Sequence, residues 1–195
     1  MKEIGNKLRL IGNKPLIYWS IKSVRESKLL DDFYISTDSP KIRKESLKFK
    51  CKVIDRPKKL SQDGTKTIEV LKHAIKITNA DVIVCVQPTS PIRPKGLIDN
   101  AIRKYNKFKV DTLATGRILH EYPWGKYNNL PRQKLSGWFW DDGLLYIMKS
   151  KDLLNGKWVG KKKYRLLISK KYNLLEIDSH EDFSIIKNFF KYTQI

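Results

Sequence analysis

The chain has 195 residues, with 40 Lys or Arg against 20 Asp or Glu, a formal net charge of +20. Its 41% hydrophobic content is that of a globular protein, and the length suits one α/β domain over residues 1–195. No apolar run approaches the roughly 20 residues that span a bilayer, and no apolar signal core follows the basic start MKEIGNKLRL, so a cytoplasmic protein without a membrane partner is expected.

The stretch PLIYWSIKSVRESKLL (15–30) repeats apolar residues at helical spacing through Leu16, Trp19, Ile21, Val24 and Leu29, with Pro15 suited to a first helical position. DFYIST (32–37) reads as a strand, residues 40–48 as a short helix and CKVID (51–55) as a second strand. TKTIEVLKHAIKIT (65–78) puts Ile68, Leu71, Ala74, Ile75 and Thr78 on one stripe of an amphipathic helix. DVIVCVQ (81–87) is a continuous apolar run, as in a strand covered on both faces. A helix over 95–106 and strands at 111–116, 143–149 and 164–169 follow, with a short helix starting at SKDLL. The last helix, 179–192, opens on a Ser179 cap with Asp182 at the capping-box position. This alternation predicts a mostly parallel sheet with helices on both faces. Cys51 and Cys85 sit in apolar strand runs without Cys or His neighbours, which predicts reduced core thiols.

The positive charge favours anionic partners. The lysines are scattered, however, the densest cluster being GKKKYR (160–165), and no nucleic-acid-binding motif is present, so no specific nucleic acid is expected as a partner. A basic nucleic-acid binder remains the reading that charge alone motivates.

Two segments carry candidate chemistry. VQPTSPIRPKG (86–96) leaves an apolar strand through a turn stiffened by three prolines, and ligands in such sheets collect beyond the strands' carboxyl ends. Its Thr89 is suited to shaping the loop, and Arg93 either meets an anion with paired donors or is structural. In LLEIDSHEDF (174–183), Glu176 and Asp178 are two apart, so on an extended segment they face the same way. Such a pair suits a hard divalent cation, or else supplies acidity to the start of the last helix.

Read together and in order, several strings resemble the acylneuraminate cytidylyltransferase family: KLRLIGNKPLIYWSI (7–21), ISTDS (35–39), DRPKKLSQDGT (55–65), VQPTSPIR (86–93), HEYPW (120–124), PRQKLSGWFWDDGLLYI (131–147) and LLEIDSHEDF (174–183). The resemblance implies a nucleotide-diphospho-sugar transferase (Rossmann-like) fold and transfer of CMP from CTP to an acidic nine-carbon (nonulosonic) sugar, with Mg²⁺. By the same resemblance Lys2, Asn6, Lys7, Asp38, Arg56 and Ser90 would serve the nucleotide. Gln87, Arg93, Arg132, Gln133 and Asp142 would serve the sugar, and Glu176 and Asp178 the metal. Lys2, Gln87 and Asp178 would be catalytic, and a homodimer is implied.

The chain departs from the family pattern in three places. Asp142 stands where the family has Asn, and Glu176 where it has Asp. The family's first central strand and most of its phosphate loop would precede Met1, so we expect a gap in the sheet and either a longer natural chain or lost turnover. The readings carried forward are therefore a cytidylyltransferase and an inactive relative that binds nucleotide or sugar.

Overall fold

The structure, a computed structural model, describes residues 7–123, 125, 126, 130–169, 172 and 176–193. Lys2 and Asn6, two of the residues expected at the nucleotide, lie outside them. A small antiparallel pair, β1 (Leu10–Ile11) and β2 (Lys14–Pro15), leads into α1 (Leu16–Arg25). Then come β3 (Tyr34–Thr37), α2 (Pro40–Lys48), β4 (Lys52–Asp55), α3 (Thr67–Thr78), β5 (Val82–Cys85) and α4 (Leu97–Phe108). The order closes with β6 (Thr112–Leu119), β7 (Trp138–Lys149), α5 (Ser150–Leu154), β8 (Lys163–Leu167) and α6 (His180–Thr193).

The strands form two groups besides the β1–β2 pair. β3 and β4 pair in parallel, while the second group runs β5-β7-β6-β8. In the second group β6 and β8 are parallel, and β7 is antiparallel to both β5 and β6. The α/β class expected from the alternation holds; the sheet is mixed because β6 and β7 form a hairpin rather than a crossover.

Period-two alternation along β7 explains how both faces of this sheet are filled. Leu145 and Ile147 pack with Leu97, Ile98 and Ala101 of α4, while Tyr146 and Met148 pack with Ile75 of α3 and Leu153 of α5. A third cluster joins Ile11, Leu16 and Trp19 to Ile177, Phe183 and Ile186, tying the last helix to the start of the chain. Fully burying one such aliphatic side chain contributes roughly 1.5–3 kcal/mol, so these clusters fix the positions of the loops between them. Cys51 and Cys85 are free thiols, Cys51 buried and Cys85 partly so, in line with the sequence reading.

Two boundaries differ from the sequence reading. α1 stops at Arg25 rather than 30, because the Asp99 carboxylate accepts the Lys28 N–H at 3.1 Å and the Ser27 hydroxyl. Backbone donors taken by a side chain are lost to the helix ladder. β7 begins at Trp138, five residues earlier than expected, because Trp138–Asp141 pair with Gly116–Leu119 in the long hairpin. Gly116 is required there, since a Cβ would lie 2.2 Å from the Trp140 carbonyl oxygen and 2.5 Å from the Phe139 ring. Among the described residues no helix is long and apolar enough to cross a membrane.

The last helix starts as read. The Ser179 hydroxyl accepts the Asp182 N–H at 3.1 Å, and the Asp182 carboxylate accepts the Ser179 N–H at 2.8 Å. The Ser179 hydroxyl hydrogen bond, with backbone bonds from Asp178 and Ser179, holds the Asp182 carboxyl below its ordinary value against a smaller opposing effect of burial. Ser179→Ala should therefore cost about 1 kcal/mol in thermal unfolding. A depressed carboxyl stabilises the fold above its unfolded value, near 3.9, and that contribution is lost as pH falls through the folded value. Asp182→Asn should accordingly flatten the loss of stability below about pH 4. An unchanged acid limb in urea titrations would refute this role.

Candidate active site

β5 ends in the turn at residues 86–93, and a buried guanidinium holds that turn. Arg93 Nε donates to the Leu144 carbonyl at 3.1 Å, Nη1 to the Ser20 hydroxyl at 3.1 Å, and Nη2 to the Gln87 carbonyl. The Ser20 hydroxyl in turn donates to the Gln87 carbonyl at 3.4 Å. Part of the Arg93 surface remains accessible, but the guanidinium lies deep enough that burial pulls its pKa down to about 9, so it is charged at neutral pH. Of the two roles read for Arg93, these bonds fit the structural one. The guanidinium clamps the turn to α1 and β7.

The turn then receives the acidic segment. The Ile177 N–H donates to the Thr89 carbonyl at 2.9 Å, and the Ile177 side chain is buried in the cluster with Ile11 and Phe183. Glu176 and Asp178 flank this anchored residue and so are held against the turn that carries Gln87. Residues 176–179 form no strand, and the Ile177 hydrogen bond holds the segment that the sequence reading took as extended. Thr89 acts as the loop-shaping residue it was read to be; its hydroxyl also reaches Gln87 Oε1 at 3.4 Å. Ser90 is fully buried beneath, with its N–H on the Gln87 carbonyl and its hydroxyl without a protein partner.

More carboxylates gather around Glu176 than the sequence reading named. Its pKa is raised to about 7 by burial first, then by the negative charges of Asp178, Asp142, Asp141 and Asp182. Gly143 makes this approach possible: it has φ +65°, and a Cβ on it would stand 2.6 Å from Glu176 Oε1. Asp142 is buried; its Oδ1 lies 2.5 Å from the Thr115 hydroxyl and accepts the Leu144 N–H at 3.1 Å, while Oδ2 has no protein partner. Burial raises its carboxyl, and the bonds from Thr115 and Leu144 offset part of that shift. Asp141 accepts the Tyr146 hydroxyl at 2.9 Å.

Cations and a second loop complete the rim. Burial lowers the pKa of Lys7, and the charge of Asp178 opposes that shift, which places this ammonium beside the acidic pair. Lys7, Thr37, Arg56, Gln87 and Thr89 all border a single cavity of about 940 Å³. Asp38 and Arg56, at the ends of β3 and β4, form an ion pair at 3.4 Å, and Arg56 Nε donates to Ser61 at 3.0 Å. Gln133 is exposed in a 3-10 turn, Arg132–Lys134, beyond the far end of the β6–β7 hairpin. The Arg132 side chain lies outside what the structure describes. Among the described residues no hydrogen bond or ion pair joins this turn to the rim. His120 borders the same loop and meets the Leu135 carbonyl at 3.3 Å.

A model of the cytidylyltransferase family matches residues 4–122. The chain belongs to the cytidylyltransferase family. Among curated cytidylyltransferases it is 26% identical to N-acylneuraminate cytidylyltransferase A of Danio rerio over 91% of this chain and 45% of that protein. It is also 26% identical to the N-acylneuraminate cytidylyltransferase of Streptococcus agalactiae, over 91% of this chain and 47% of that protein. The chain thus spans about half the length of these relatives. The pseudaminic acid cytidylyltransferase of Campylobacter jejuni is 26% identical over 91% of this chain and 86% of its own. In fold, the chain resembles a CMP:2-keto-3-deoxy-manno-octonic acid synthetase solved with CTP, at a TM-score of 0.73 and 12% identity over 96% of this chain and 92% of that one. It also resembles the 4-diphosphocytidyl-2C-methyl-D-erythritol synthase of Anaerococcus prevotii, at a TM-score of 0.68 and 12% identity over 96% and 92%.

Ser20, Thr115, Asp141, Gly143 and Tyr146 were not singled out from the sequence. Ser20 had a signal, since a lone hydroxyl within the apolar face of α1 needs a buried partner. Asp141 and Tyr146 had none, because their meeting depends on the register of the hairpin. Two outcomes test the clamp and the close approach. Arg93→Lys, which cannot reach all three acceptors, should lower stability by about 2 kcal/mol in urea unfolding. Gly143→Ala should cost more than about 1 kcal/mol, from positive φ and from the displaced Glu176 carboxylate. Wild-type stability in either variant would contradict the corresponding contact.

Proposed function

We propose that this chain is a nucleotidyltransferase that activates an acidic nonulosonic sugar with CTP, giving the CMP-sugar and pyrophosphate. The observation that carries this reading is the Ile177-to-Thr89 hydrogen bond, which holds Glu176 and Asp178 against the turn bearing Gln87. The named activities of the acylneuraminate and pseudaminic acid relatives support the substrate class.

In the proposed reaction the sugar's anomeric hydroxyl attacks the α-phosphorus of CTP. The bond to the bridging oxygen breaks, pyrophosphate leaves, and the hydroxyl proton passes to solvent or a nearby base. Gln87 would orient the sugar by hydrogen bonds from its amide. Lys7 would place a positive charge at the phosphates, and Asp38 and Arg56 would bound the nucleotide on the side of β3 and β4. The hard oxygens of Glu176 and Asp178 fit Mg²⁺, which is commonly held by one or two carboxylates together with substrate phosphates. Bound there, such an ion supplies charge neutralisation at the α-phosphate. The crowding that lifts Glu176 is also relieved by a cation at that place.

β3 and β5 both border the cavity of about 940 Å³ and do not pair with each other, which favours a second reading, in which the chain binds CTP or the sugar without turnover. Incubation with CTP, Mg²⁺ and neuraminic, legionaminic or pseudaminic acids, followed by pyrophosphate release, separates the two. Turnover is expected, with a loss of at least about 100-fold in Asp178→Asn, which is about 2.7 kcal/mol in the barrier. Calorimetric binding of CTP with no pyrophosphate from any sugar would establish the second reading. Neither binding nor release would remove both.

A further inference from the structure

The rim of the sheet away from the candidate site carries a surface that the proposed reaction does not use. Val82, the first residue of β5, pairs with Lys149 at the end of β7. Thr112, the first of β6, pairs with Met148 of β7 and with Lys163, the first of β8. The turn at residues 86–93 follows the other end of β5, so the segments that lead into β6 and β8 are held at the opposite rim. Two lysine-rich stretches meet there: Lys104, Lys107 and Lys109 at the end of α4, and Lys161–Lys163 at the entry to β8. The Lys162 carbonyl accepts the Asp111 N–H at 2.8 Å and the Thr112 N–H at 3.1 Å, which ties the two stretches together.

The charge of this rim is largely uncompensated. None of the six lysines forms an ion pair among the described residues, and all but Lys104 are exposed. Gly160 packs against two carboxylates, Asp111 and Asp152. Asp111 is taken up by Lys149 Nζ at 2.6 Å and by the Lys162 N–H at 2.9 Å. Like charges held this close repel one another, and an anionic chain laid across them relieves that repulsion.

Within the lysines sits an aromatic platform. Phe108 stacks on Tyr164 of β8, with ring centroids 4.7 Å apart and planes 14° from parallel. The residue is nevertheless 46% exposed, so ring surface stays open to solvent. The ammonium groups of Lys104 and Lys107 each lie 5.9 Å from the Phe108 ring centroid. A flat ring among cations suits an unpaired base joined to phosphates, since every base has a face to stack. A duplex keeps its bases stacked on one another and offers the ring nothing. A bilayer would be met by an amphipathic helix, and the apolar face of α4 is spent on the core through Leu97, Ile98, Ala101 and Tyr105.

We propose that the rim formed by the end of α4 and Lys161–Lys163 binds single-stranded nucleic acid without reading its sequence. The lysines meet phosphates, and Phe108 stacks on a base. The surface lies at the opposite rim from the candidate active site, so the proposal does not depend on the catalytic reading.

The test follows the anisotropy of a labelled oligothymidylate of about 12 nucleotides mixed with the full chain at about 50 mM salt. Inorganic polyphosphate of similar charge and vesicles rich in anionic lipid are run as competitors. Affinity should fall about 20-fold between about 50 and 200 mM salt, as for three phosphates. Lys107→Glu with Lys162→Glu should weaken binding at least about 10-fold. Lys44→Glu with Lys187→Glu changes the net charge equally elsewhere on the surface and should stay within about 2-fold of wild type. Phe108→Leu should weaken the oligonucleotide at least about 5-fold and leave polyphosphate unchanged, and Phe108→Trp, which keeps a flat ring, should restore it. No binding of oligothymidylate would overturn the proposal, as would equal weakening by the two double variants, which would mean that net charge alone is read. Equal loss of oligonucleotide and polyphosphate in Phe108→Leu, or no loss of either, would overturn it as well. So would stronger binding to the vesicles that is lost in Lys107→Glu with Lys162→Glu, since the partner would then be a bilayer.

Discussion

Arg93 donates to groups on three separate elements, and the acceptors of its hydrogen bonds are two backbone carbonyls and a hydroxyl rather than a carboxylate. A guanidinium placed this deep is costly unless its donors are met, and here they are met by two carbonyls and a hydroxyl. The consequence is geometric. The Gln87 carbonyl cannot move without breaking bonds to α1 and to Arg93, and the Leu144 carbonyl ties the same group to β7. Because the Thr89 carbonyl in that turn receives Ile177, the position of the acidic segment is set by the same clamp. The candidate site thus rests on one charged side chain whose bonds go to the protein's own carbonyls and hydroxyl.

Much of the fold was legible because burial imposes a period on the sequence. The apolar stripe of residues 65–78 and the continuous run of 81–87 became α3 and β5 near their expected limits. The end of α1 was not legible, since the residue that stops it, Asp99, lies 71 positions from Lys28. Only tertiary structure brings that carboxylate to those amides. The early start of β7 was hidden for a related reason. GWFWDDG has large rings on both faces of the strand, with Trp138 and Trp140 exposed on one side and Phe139 over Gly116 on the other. Such a run lacks the polar alternation by which a half-buried strand is recognised.

The site was legible in proportion to how local its logic is. Glu176 and Asp178 share a face by adjacency alone, and an intervening buried Ile177 produces the same result as a strand would. Arg93 could not be assigned from sequence, because a guanidinium two residues from a proline reads alike whether it faces solvent or carbonyls. Asp142 shows the same limit. Its carboxylate is committed on one oxygen to Thr115 and the Leu144 amide, at a register shift between Ala114 and Gly116 that no local pattern announces.

The distribution of charge gives the proposed chemistry a further constraint. A protein carrying +20 draws anions such as a nucleoside triphosphate and an acidic sugar toward it from every side. Beside Gly143 within β7, however, Asp141, Asp142, Glu176 and Asp178 gather, and burial, followed by these negative charges, lifts Glu176 to about 7. Two anionic substrates brought against that cluster would meet repulsion at the point where the phosphorus must be attacked, and at short range in a partly buried site this outweighs the diffuse attraction of scattered surface lysines. Lys7 offsets part of the charge of Asp178. Long-range attraction with short-range repulsion is a workable arrangement for phosphoryl chemistry when a divalent cation stands between the carboxylates and the phosphate, for then the same oxygens that would repel the substrate hold the charge that receives it.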